Sequence, residues 1–402
     1  MHFQSKIQAV TFPVPPVQTA SSPWRVHALG FIAMGSIMSI MLISPVIPLY
    51  LDQRGLPPVH VGGVIGAMSL ALMTAEVLAL GVTSWVGRRL AVIVALAGSA
   101  MMFAWFPLTV SLAGLYVTRL VLGGARGMLW PVVFAEVAET SPLDQRAGQF
   151  SLFWLYFGIG QLLGPLIGGL LGEKLSLTAP FFAAALASLL LLPAAGIIRS
   201  VRDDSPNPLR SYATLLARTP AVGRIWLVTM LNTVAFSIMM TFLPLHAAAN
   251  GLSTAEIGLI FTGGGVAFIV AQATLGRIAQ RITAERLLVP AYVIRGLGVA
   301  LVPVLTSFQA LFVVNFLTSL GAAPIPNGLS MRVSARSPRE HLVAAMGGFN
   351  AAADLGFFLG PVVGGILAGW GLKWAFAIGP LVTLPAVMWL IADVTRPQPE
   401  AG

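Results

Sequence analysis

Glu76, Arg119, Arg126, Arg295 and Asp354 stand deep inside apolar stretches of this chain, and Glu136 stands near the end of one. An ionisable side chain in hydrocarbon is costly, so its default reading is functional. A carboxyl group in such a place can hold a proton in one surrounding and lose it in another. Glu76 and Asp354 are therefore proton-coupling candidates. Arg119 and Arg126 are candidates for their charge partner or for a substrate counter-ion. The alternative is a static ion pair that ties helices together. Glu136 is expected to meet arginines at a membrane surface, Arg295 to snorkel toward an interface, and His246 to be a solvated rim residue.

The surroundings of these residues follow from composition. Of 402 residues, 57% are hydrophobic and 9% charged, and the mean hydropathy is +0.87. A soluble domain carries about 25% charged residues, so this is a polytopic membrane protein. Twelve apolar runs of spanning length are read at approximately 28–51, 59–82, 89–108, 112–138, 148–171, 176–198, 224–249, 254–278, 287–306, 309–331, 342–369 and 373–394. The expected fold is all-α, with two six-helix bundles, 28–198 and 224–394, related by a pseudo-two-fold axis along the membrane normal. A polar loop, 199–223, separates them. Residues 1–27, with Pro13, Pro15, Pro16 and Pro23, read as a disordered tail without a signal-peptide layout, and 395–402 as a second tail.

Charge distribution orients the spans. Of 23 Lys and Arg residues, Arg119, Arg126 and Arg295 lie inside spans, and Arg54, Lys174 and Lys373 fall on one side. All the others fall on the side of the termini, which the positive-inside rule makes cytoplasmic. The net charge of +9 is thus a topology signal, and no nucleic-acid partner is expected. The chain has no cysteine, which excludes thiol chemistry and disulfides. No catalytic constellation, metal cluster or nucleotide-binding loop stands out, and no cofactor is expected.

The halves repeat. Gly160, Gly164, Pro165, Gly168 and Gly169 in the fifth span recur 196 residues later as Gly356, Gly360, Pro361, Gly364 and Gly365 in the eleventh. Glycines four apart share a helix face and let another backbone approach, and the proline bends the rod. Pro48, Gly55, Gly62 and Ser141 recur at the same offset as Pro244, Gly251, Gly258 and Ser337. Repeats of six spans enter the membrane the same way, and substrate sites of such proteins lie between the halves near the midplane.

With these features the chain resembles the major facilitator superfamily of secondary transporters over about residues 28–394. Four places carry the likeness. The first is the pair of Gly-Pro stretches, whose fifth-span copy the family associates with antiporters and drug exporters. The second is Gly87-Arg88-Arg89 between spans two and three, where the family has G-x-L-a-D-r-x-G-R-R/K; Leu80 and Ser84 depart from its first glycine and its aspartate. The third is the equivalent loop at Gly276, with Gln280 at the aspartate position. The fourth is Arg119 with Gly123 in span four, matching R-x-x-x-G; Arg126 lies outside that pattern.

The resemblance implies that spans two and eleven, carrying Glu76 and Asp354, pack across the interface between halves. It also implies that spans one, four, seven and ten line the cavity. Met38, Trp130, Asn232, Phe236, Asn315 and Asn327 are then lining candidates, although membrane-core packing would use the same residues. The lining has few polar groups, which disfavours sugars and highly charged metabolites. The expected activity is proton-coupled efflux of small amphipathic or hydrophobic molecules by alternating access. The expected setting is the inner (plasma) membrane lipid bilayer, the expected state a monomer. An uptake symporter or facilitator, and a transporter-like sensor or assembly scaffold, are the alternatives.

Overall fold

The computed structural model describes residues 23–141, 146–202, 215, 219–279, 284–338 and 341–394. Most of the central loop, both outermost tails, Pro142, Gln280 and Arg339 lie outside the described residues. Twelve helices are long and apolar enough to cross a membrane. In chain order they are α1 (Trp24–Gln53), α2 (Pro58–Ala79), α3 (Arg88–Leu108), α4 (Leu112–Thr140), α5 (Gly148–Lys174) and α6 (Ala179–Ile197). The second half holds α7 (Pro220–Ala249), α8 (Thr254–Thr274), α9 (Arg286–Val304), α10 (Phe308–Arg336), α11 (Ala344–Ala368) and α12 (Leu372–Asp393). An even number returns the chain to the side it started from, here called the termini end. The described part of the first helix starts at Pro23, within the stretch read as a tail.

Local chemistry repeats along with the helices. Ser111 caps α4 by accepting from the Gly114 N–H (3.1 Å), and Ser307 caps α10 by accepting from Ala310 (3.4 Å). Both of these helices break at one place, α4 at Gly127–Met128 and α10 at Ala323 before Pro324. Irregular backbone at membrane depth is tolerated where it is buried in protein or faces a cavity.

Within lipid there is little hydrophobic drive between helices, so close packing of small residues does that work. Gly160, Gly164 and Gly168 of α5 lie against Met34, Met41 and Leu42 of α1. Gly356, Gly360 and Gly364 of α11 lie against Met230, Ser237 and Ile238 of α7, the same pairing displaced by one repeat. Pro165 and Pro361 sit inside their helices. Between halves, α2 packs on α11 and α5 on α8. There Gly169 meets Gly258, and Gly62 meets the Pro361 carbonyl.

The two halves do not meet along their whole length. Far from the termini, one buried cluster spans both, from Leu42, Val61 and Met68 to Ile238, Ile257 and Phe376. Toward the termini it divides into two. One cluster holds Leu29, Val92, Val133 and Ile198; the other holds Val222, Leu288, Ala345 and Leu390. The bundles are thus joined at the far end and parted at the termini end.

Candidate transport site

The carboxyl groups of Glu76 on α2 and Asp354 on α11 lie beside each other across the interface between bundles. A hydrogen bond between two carboxyls needs a proton on one of them. Beside the pair a cavity of about 340 Å³ is lined by Met73 and Val77 of α2, Trp226, Leu227 and Met230 of α7, and Gly348, Ala351, Ala352 and Leu355 of α11. Met73 and Val77 flank Glu76 in sequence, Ala352 and Leu355 flank Asp354, and the whole lining is apolar or small.

The arginines are elsewhere, so the carboxylate–arginine pairing considered from sequence is not formed. Arg119 donates to the Val64 and Ile65 carbonyls of α2, both at 3.3 Å. Its repeat equivalent, Asn315, donates to the Ile260 carbonyl of α8 at 2.7 Å. Val64 and Ile260 are also one repeat apart, so both side chains do one job, tying α4 to α2 and α10 to α8. Arg126 is 1% exposed and faces α1. It donates to Ser36 Oγ (2.7 Å), the Ser36 carbonyl (2.8 Å) and Ser39 Oγ (3.3 Å). Its Nε has no hydrogen-bond partner.

The remaining lining candidates divide. Met38 is half-buried on α1. Trp130 packs at a tilt against Phe134 and Phe157, part of an aromatic group that includes Trp154 and runs from α4 to α5. Asn232 is buried, with its Oδ1 unpartnered. Asn327 donates to Gln272 on α8 at 2.8 Å. Phe236 lies edge-on to Phe357 and under the Arg295 guanidinium, 4.9 Å from its ring centroid. Arg295 therefore does not snorkel. It is 7% exposed and turned into the bundle, where a ring face offers a cation an attractive site. His246 is no solvated rim residue either: its Nε2 lies 2.8 Å from the Leu305 carbonyl and its ring is edge-on to Phe376. Phe134, Trp154 and Phe157 were not singled out from sequence; they recur at helical spacing, which apolar packing alone also produces.

At the termini end, Gly87 turns the chain with φ +79°, and Arg88 and Arg89 fasten the α2–α3 loop. The Arg88 guanidinium reaches Glu136 (3.3 Å) and both Glu139 oxygens (2.9 and 3.0 Å). Arg199 also pairs with Glu136 (3.2 Å) and Glu139. Arg89 Nε donates to the Ile198 carbonyl at 2.8 Å. Ser84, in place of the aspartate, donates to the Gly81 carbonyl of its own helix at 2.7 Å. In the second half Asp393 joins Arg332 (2.8 Å) and Arg336 (2.7 Å). Gly276 to Ala279 are helical, and residues 280–283 lie outside the described residues.

Comparison with known proteins agrees with this architecture. The model of the Major Facilitator Superfamily matches residues 29–223 and again 225–402. The chain is 30% identical to the tetracycline resistance protein, class C, of Escherichia coli, over 75% of this chain and 80% of that one. It is 22% identical to the quinolone resistance protein NorA of Staphylococcus aureus strain MSSA476, over 85% of this chain and 89% of the relative. Among solved structures, the nucleoside transporter NupG superimposes with TM-score 0.77 at 13% identity, over 93% of this chain and all of that one. The peptide transporter POT in complex with sulfate gives 0.78 at 15% identity, over 95% and 96%. Twelve spans, a repeat of six and a family match in each half lead to one conclusion: the chain is a multi-pass membrane protein that belongs to the Major Facilitator Superfamily of secondary transporters.

Proposed function

We propose that the protein exports small amphipathic molecules in exchange for protons, and that Glu76 and Asp354 act together as one proton site. The observation that carries this is the carboxyl pair itself, which bridges the two bundles beside an apolar cavity. The proton stitches α2 to α11. Losing it sets two carboxylates face to face, a like-charge contact that favours separation of the helices. A substrate entering the cavity between α2, α7 and α11 displaces the proton, and protonation after the substrate leaves restores the stitch. Alternating access then couples one exchange to one rocking of the bundles. The positive-inside distribution of Lys and Arg supports a cytoplasmic side for the termini, and with them for the parted end of the bundles. A cavity open to the cytoplasm in an inner membrane is the loading state of an exporter. The relatives named for tetracycline and quinolone resistance support that direction. The protein works as a monomer in the bilayer.

The test uses purified protein in proteoliposomes with an imposed pH gradient and a fluorescent amphipathic dye. Wild type is expected to move the dye against the proton flux. Glu76→Gln and Asp354→Asn are each expected to bind dye and to lose gradient-driven accumulation. Full coupling in both variants would refute the shared proton site. Dye movement with the proton would replace export by symport, and no flux of any tested compound would leave the scaffold reading.

A further inference from the structure

We infer that Arg126, with Ser36 and Ser39, is a recognition site for an anionic group on the transported molecule. The inference deepens the export reading by naming a substrate class, and rests on that reading only for the word transported.

The starting point is an unneutralised charge. An arginine stays protonated in a protein interior, so Arg126 is a buried cation near the middle of the N-terminal bundle. Such a charge is retained only where something compensates it. No described carboxylate does. Glu76 and Asp354 are engaged with each other. Glu136 and Glu139 are held by Arg88 and Arg199, and Asp393 by Arg332 and Arg336. Arg126 has two hydroxyls and one carbonyl instead, and an Nε with no partner. Arg119, two turns earlier on the same face, adds a second cation that is bonded only to carbonyls.

The partners that Arg126 does have are the kind that can be exchanged. Hydroxyl groups rotate, and releasing them to bond an arriving anion leaves no charge stranded. The guanidinium fork donates two parallel hydrogen bonds to a carboxylate, stronger than bonds to neutral oxygen. The site also has a soft wall. Arg126 closes the first segment of the broken helix α4, and Trp130, one turn on, opens the aromatic group shared with α5. An acid attached to a flat ring system would satisfy both the charge and the wall.

The internal repeat supplies a contrast. Ser36 corresponds to Asn232, and Arg126 to Ala322. In the second half the acceptor Asn232 Oδ1 is buried and unpartnered, with no cation at the matching place. The positive charge has therefore been added to one half only. Tying helices together, the job that Arg119 and Asn315 share, would call for a donor in both.

The measurement is equilibrium binding to the full chain in detergent, by tryptophan fluorescence, comparing 2-naphthoate with its methyl ester. Wild type is expected to bind the acid about tenfold or more tightly than the ester, the difference a hydrogen-bonded charge supplies. Arg126→Gln is expected to abolish that preference while binding the ester as wild type does, which shows that the variant is folded. Equal affinity for acid and ester in wild type overturns the inference without recourse to any variant, as does a preference that survives Arg126→Gln. Competition by chloride to the same extent as by the naphthoate would mean a general halide site and also overturns it. Because no gradient is involved, these outcomes are separate from failure of the export reading.

Discussion

Glu136 is the acid whose removal the structure says most about. Its side chain is 2% exposed and lies between Arg88 and Arg199, whereas Glu139, one turn on, contacts the same arginines with its side chain 45% exposed. Removing one member of a buried pair strands the others, at a cost of about 3–5 kcal/mol, while an exposed pair contributes about 1 kcal/mol or less. Glu136→Gln is therefore expected to lower the melting temperature in detergent sharply, and Glu139→Gln only slightly. Comparable melting of the two would mean that water reaches both. The arginine contacts of Glu136 were legible in sequence, because a lone acid at a span end beside a basic loop has few other partners. Where Arg295 and His246 point was not. Spacing places a residue on a helix, but packing of the neighbours decides whether a ring face or a lipid headgroup receives its side chain.

At the scale of elements, glycine positions were the most readable feature and their energetics the least. The offset of 196 predicted matching roles for Gly168 and Gly364, and both do face the first helix of their own bundle. Their tolerances differ. A Cβ on Gly168 would overlap the Leu42 carbonyl, a backbone atom that cannot yield without moving α1. A Cβ on Gly364 would meet the Phe242 ring at 2.5 Å, a side chain that can turn. Gly168→Ala is expected to reduce the yield of folded protein severely, and Gly364→Ala to reduce it mildly. Size-exclusion profiles after expression measure this; equal damage would show that the Phe242 ring is as fixed as backbone. The same offset also related Arg119 to Asn315. That pair was hidden because a guanidinium and an amide look unlike in sequence, though both present N–H donors to a carbonyl one helix away.

Over the whole molecule, the divided core has the clearest mechanical consequence. The far end must part for the cavity to open on that side, and among the described residues a polar contact crosses it: Glu173 at the end of α5 accepts from the N–H of Thr254, the first residue of α8, at 3.0 Å. That N–H belongs to the unsatisfied first turn of a helix, which attracts a carboxylate. Ser253 and Glu256 cap the same turn from within its own half, so Glu173 supplies a bond that links the halves at this end. With no native cysteine, the contact can be fixed cleanly. Glu173→Cys with Thr254→Cys, oxidised to a disulfide, is expected to stop transport in proteoliposomes and to recover with reductant. Val77→Cys, in the cavity on the termini side of that junction, should stay reactive toward a water-soluble maleimide in the joined protein, since the parted end is not constrained. Continued transport after joining would show that α5 and α8 do not separate during the cycle. Loss of Val77→Cys labelling would show that the two ends do not move as one rigid pair of bundles about the α2–α11 and α5–α8 contacts.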